Sequence, residues 1–175
     1  MTQTEFTAAV ASHLDALHNL ASWLARDAAD ARALVQTTCR QALRTIPQQP
    51  LGTNVRLGLF TLLWGIYRQH HGLSPDSFDH STGGRVMPVR RTLFHTLSSA
   101  DLDAGLRQLP ETLRAALILA DMEGYPFEEV AEVFGWSTPQ THTALAQARQ
   151  LLEGFLQARL AATAVSPAPE GKDSL

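Results

Sequence analysis

The stretch LPETLRAALILADMEGYPFEEVAEVFGWSTPQTHTALAQARQLL, residues 109–152, decides the fold. Pro110 opens a helix whose apolar side holds Leu113, Leu117 and Ile118. Gly124 and Pro126 make a turn, since glycine accepts the backbone conformations that stop a helix. A short helix follows, with Val130, Val133 and Phe134 turned inward. GWSTP then reads as a second tight turn. Thr138 is expected to cap the next helix and Pro139 to take its first position, where a missing N–H costs nothing. That helix continues through Leu145, Ala148, Leu152 and Phe155 to about residue 162. Helix, glycine turn, short helix, tight turn, long helix is the order of a helix-turn-helix.

The rest of the chain is helical by the same spacing argument. Phe6, Val10, Leu14, Leu17, Ala21 and Leu24 recur at steps of three or four, one face of a helix over 5–25. Leu34, Val35, Thr38, Ala42 and Ile46 define a second helix that ends near Pro47. Asn54 caps a third, running to about His70 and apolar on most sides. Leu102, Leu106 and Leu109 mark a short helix before Pro110. No strand pattern and no repeat is present. The expected fold is all-α: two small helical bundles joined by a flexible linker. The expected boundaries are 1–72 for the first bundle, 73–98 for a Gly/Ser/Pro-rich linker, 99–163 for the second bundle and 164–175 for a disordered tail.

Composition narrows the function classes. The 175 residues carry a net charge of −3, so the overall field draws neither nucleic acid nor anionic lipid. The single cysteine, Cys39, excludes an internal disulfide and reads as an inert thiol. The N-terminus lacks a basic region and carries Glu5, unlike a signal peptide. The longest apolar run, 57–67, is too short to span a bilayer. A soluble cytoplasmic protein with no membrane partner is expected. No HExxH, GxSxG, P-loop or Gly-rich dinucleotide turn occurs, so no enzyme, small-molecule substrate or cofactor is expected. His70 and His71 are adjacent and point about 100° apart on a helix, which disfavours a shared metal. With His80 they read as solvated histidines, and no metal site is expected.

In order and spacing, 109–152 resembles region 4 of the extracytoplasmic-function (ECF) branch of bacterial sigma-70 factors. The resemblance rests on Leu109-Pro110, Arg114, Ala116-Leu117, Leu119, Glu123-Gly124, Glu128-Glu129, Ala131, Gly135, Leu145, Ala148 and Arg149. DAADARALVQTTCRQALR at 27–44 is similar to sigma region 2.2, and GTNVRLGLFTLLWGIYR at 52–68 to regions 2.3–2.4. The resemblance implies two DNA-binding modules, one for the −10 and one for the −35 promoter element. RNA polymerase core and an anti-sigma protein would be their protein partners. It assigns −35 contacts to Gln140, His142, Thr143, Gln147 and Arg149. It assigns −10 contacts to Arg56, Trp64, Arg68, His70 and His71. Arg32, Leu34, Gln36 and Arg40 fall on the polymerase-binding helix.

Charge qualifies that expectation. Where the family carries a lysine and two arginines in the recognition helix, this chain has His142, Ala144 and Gln147. Ala33 and Thr37 replace the acids that flank the Leu-Val-Gln signature. Four glutamates against Arg149 leave 123–150 at −3. Phosphate contacts supply much of the affinity for duplex DNA, so this helix keeps base-reading side chains and loses its grip on the backbone. Residues 52–91 hold five arginines and two aspartates, +3, suited to a single strand or equally to a solvated linker. Trp64 can stack on an unpaired base or sit in a core. Two functions follow: a sigma factor directing polymerase to promoters, which the family implies, or a sigma mimic that binds an anti-sigma factor and no longer reads DNA.

Overall fold

The computed structural model describes residues 3–45, 54–73 and 98–165. The expected linker and tail fall almost wholly outside them. The described elements are α1 (Gln3–Ala11), α2 (Leu14–Leu24), α3 (Ala28–Thr45), α4 (Val55–His71), α5 (Ser99–Gln108), α6 (Glu111–Leu117), α7 (Phe127–Phe134) and α8 (Thr138–Val165). No strand occurs among the described residues.

The helix expected over 5–25 is two helices. Ser12 Oγ donates to the Ala9 carbonyl, and the His13 N–H closes a tighter turn on Val10. Both side chains are poor helix formers, and the serine offers the backbone a competing bond. Leu14, expected inward, is largely exposed beyond this break, as is Leu102 in α5.

Asn54 caps α4 as expected, accepting from the Leu57 N–H at 3.2 Å. Gly72 ends α4 in the left-handed conformation. Leu59, Phe60 and Leu63 are fully buried, which accounts for a helix apolar on most sides. The chain after α6 widens into a π segment, Ile118–Met122, closed by the Glu123 N–H on the Ile118 carbonyl. Gly124, with φ at +70°, then reverses the chain into α7.

One continuous apolar core links α1–α4 to α5–α8. Helix α4 lies against both α3 and α7, and α2 reaches α6. Trp64 of α4 meets Phe134 of α7 at 4.8 Å between ring centroids, and Phe134 stacks on Trp136. The two bundles are therefore packed face to face, with the helix-turn-helix lying on α4. No described helix is long and apolar enough to cross a membrane.

Candidate nucleic-acid interface

Local chemistry fixes the start of α8. Gly135, at φ +70°, ends α7, and the Trp136 N–H returns to the Ala131 carbonyl. Ser137 is the cap: the Gln140 N–H donates to its Oγ at 3.4 Å. In return the Ser137 N–H donates to Gln140 Oε1 at 2.7 Å. This reciprocal capping box displaces the expected cap, Thr138, into the first turn. The side chain of Gln140, expected among the −35 contacts, is occupied by its own helix terminus.

The face of α8 follows from burial. Thr141, Ala144, Leu145 and Ala148 are buried, while Ser137, Thr138, Pro139 and His142 are exposed. Ala144 therefore lies in the core, so the arginine position read there does not face DNA. His142 reaches solvent with its ring edge against Phe127. The Thr143 hydroxyl donates back to the Pro139 carbonyl at 3.0 Å. Gln147 is half-buried, and its Oε1 has no hydrogen-bond partner among the described residues. Arg149 donates to Asp121 through both Nη2, at 2.6 Å, and Nε, at 3.0 Å. Those bonds hold its pKa above the usual guanidinium value. The one arginine between 123 and 150 is thus tied to the π segment.

The −10 candidates divide into covered and open. Arg56 Nη2 donates to the Glu123 carbonyl at 2.9 Å, and its guanidinium lies 3.7 Å from the centroid of the Tyr125 ring. Trp64 is only 4% exposed, stacked on Tyr67 and met at a tilt by Phe134, so it is a core residue in this packing. Arg68 is half-buried, and its carbonyl takes the Leu73 N–H at the end of α4. His70 and His71 are exposed, His71 stacking on Tyr67 at 4.1 Å. Both border a concavity of about 480 Å³ that Arg26, Asp30 and Leu34 also line. A polymerase-binding candidate and two DNA-binding candidates thus share one surface. Arg32, Gln36 and Arg40 lie exposed along α3.

Sequence reading missed the residues that join the halves. Asn19 Nδ2 donates to Glu123 Oε1 at 2.5 Å, and Asn54 Nδ2 to Glu129 Oε1 at 3.3 Å. Phe60 meets the Tyr125 ring edge-on at 5.1 Å. Burial pushes the Tyr125 phenol up, against the pull of the Arg56 cation. Burial also raises Tyr67, with the facing Glu111 adding to it, and depresses Arg114 between them. Each pairing spans the two halves or a long separation within one, and helical periodicity carries no information about such partners. No cluster of metal-ligating side chains occurs among the described residues.

Residues 99–152 match the family described as Sigma-70, region 4. The chain is 27% identical over 165 residues to the ECF RNA polymerase sigma factor SigE of Mycolicibacterium smegmatis, covering 90% of this chain and 63% of that protein. It therefore spans a little under two thirds of that relative's length. Its fold is shared with the sigma factor RpoE of Bartonella quintana, solved in complex with the anti-sigma factor NepR. There the TM-score is 0.69 at 23% identity, over 87% of this chain and 97% of that one. The anti-anti-sigma factor PhyR of the same organism, also solved with NepR, aligns with TM-score 0.56 at 18% identity, over 83% of this chain and 48% of that one. At these identities the solved structures establish a common fold.

Proposed function

We propose that the chain is an ECF-type protein of the sigma-70 family that acts in the cytoplasm in transcription initiation, joining RNA polymerase core and carrying it to promoters. In this reading residues 1–72 serve the polymerase and the −10 element, and residues 99–163 serve the −35 element. The observation that carries it is the start of α8: a well-capped helix N-terminus whose His142 face stays open to solvent while its packing residues are buried. Helix N-termini and their N–H groups favour phosphate, which offsets part of the missing positive charge. The exposed Arg32, Gln36 and Arg40 on α3, with half-buried Leu34, supply the polymerase surface. Arg56 and Trp64 engage the −10 strand only after the two halves separate.

The test is reconstitution. The full chain is mixed with core polymerase and a promoter library, and run-off transcripts are mapped. Holoenzyme with transcripts from defined starts is expected, and failure to bind core overturns the reading. A second reading draws on two observations, the Arg149–Asp121 pair and the covered Arg56 and Trp64. Both reduce the DNA-binding surface and suit a mimic that titrates an anti-sigma factor, the role PhyR's name describes. Tight binding to a NepR-type anti-sigma protein together with no binding to core would favour that mimic.

A further inference from the structure

The turn at Glu123–Tyr125 is held by side chains of α2 and α4. Gly124 at φ +70° lets the chain reverse sharply enough to present the Glu123 carbonyl on one side and the Tyr125 ring on the other. Arg56 meets both. It donates to the carbonyl at 2.9 Å and lies 3.7 Å from the ring centroid. An arginine that grips an unpaired nucleotide makes the same two contacts: an N–H given to a phosphate oxygen, and a guanidinium face laid on a base. Asn19 fastens the turn from α2 through the Glu123 carboxylate, and Phe60 meets the Tyr125 ring edge-on. About two turns further along α4, Trp64 is covered by the tilted ring of Phe134, again an aromatic group lying against a side chain that a base would contact.

We propose that the Glu123–Tyr125 turn is a built-in competitor for single-stranded nucleic acid. Its carbonyl stands in for a phosphate oxygen and its phenol for a base, so strand binding on α4 and closure of the two halves exclude each other. This rests on the reading that α4 carries the −10 contacts. The closed population then scales apparent affinity directly, because a strand sees only the open fraction of molecules. Arg56 and Trp64 belong both to the nucleic-acid surface and to the closed interface, so no separate inhibitory segment is needed.

The probe is a fluorescent single-stranded DNA of mixed sequence, titrated against the full chain. Asn19→Asp sets a carboxylate against that of Glu123 and leaves Arg56 and Trp64 intact. We expect an increase in strand affinity of about fivefold or more, with a larger radius of gyration by X-ray scattering. Adding Arg56→Ala should abolish the gain. Expansion without a gain in affinity overturns the proposal, as does a gain that survives Arg56→Ala. Should Asn19→Asp leave the molecule unexpanded or unfolded, a crosslink decides. Asn19→Cys and Glu123→Cys, with Cys39→Ser, are bridged by a short bis-maleimide. The bridged protein should bind the strand at least about tenfold more weakly than the same protein capped singly. Equal affinity overturns the proposal. Initiation with core polymerase is scored separately, so a crosslink effect without transcripts retires the transcription reading and leaves the competitor standing.

Discussion

Arg149 carries the only fixed positive charge between residues 123 and 150, and Asp121 engages it through two hydrogen bonds. The side chains are 36% and 41% exposed, so the pair is screened and contributes under about 1 kcal/mol to stability. Asp121→Asn should therefore leave the melting midpoint nearly unchanged while freeing the cation. Titrated with duplex DNA, that variant should show a salt dependence steeper by about one counterion. An unchanged slope would place Arg149 outside the groove. Ala144 makes the opposite case. The resemblance implied an arginine position there, yet the side chain is fully buried. Ala144→Arg should cost several kcal/mol, on the order of 3 or more, because an unpaired charge enters a packed core. A urea titration of the variant reads that loss. At this scale, apolar spacing foretold Leu145 and Ala148 as core. It was silent on Arg149, whose partner lies 28 positions away on a π turn that no local pattern announces.

Among the elements, α5 depends most visibly on one ionised group. Ser98 caps the helix and Asp101 returns the bond, and Arg159 of α8 also donates to the same carboxylate at 2.8 Å. The Ser98 bonds and then the Arg159 bond lower the Asp101 pKa from 3.8 to about 2. A carboxyl whose folded value lies below its unfolded value stabilises above the unfolded value, and the contribution fades as pH falls from about 4 to about 2. Asp101→Asn should accordingly lower stability at pH 7 and match the parent near pH 2, as followed by urea melts across that range. A constant difference at every pH would mean that charge plays no part. Ser98→Ala should cost about 1 kcal/mol through the lost cap. Helix ends were the part of each element least legible in the sequence. Asn54, a lone cap before an apolar run, was evident. At GWSTP the choice between Ser137 and Thr138 turned on Gln140, whose reciprocal bond settles it three residues downstream. The break at Ser12–His13 left no mark in the apolar spacing because α1 and α2 bury the same side.

The whole molecule is where pattern and structure part furthest. Two bundles were legible from periodicity, but periodicity describes one helix at a time. The packing between the halves depends on tertiary partners: Trp64 with Phe134, Phe60 with Tyr125, and the polar bonds of Asn19, Asn54 and Arg56. A core shared in this way has a thermodynamic consequence. If the interface contributes more than each half's own margin, the halves unfold together, and separate probes report one midpoint. Trp64 sits in the first half and Trp136 in the second. Single-tryptophan variants retaining one or the other should therefore give superimposable urea transitions. Phe134→Ala removes the ring that contacts both tryptophans and should cost about 3–5 kcal/mol, part of it cavity and part lost aromatic pairing. Because that ring belongs to the interface as well as to α7, the loss should fall unequally on the two halves. The Trp136 transition should move to lower urea first and the Trp64 transition should follow separately. Two transitions already present in the parent would mean that the halves are held together too weakly for closure to govern access to α4. A Phe134→Ala protein that still unfolds in one step would mean that Arg56 and the Glu123–Tyr125 turn, rather than the aromatic stack, provide most of the coupling.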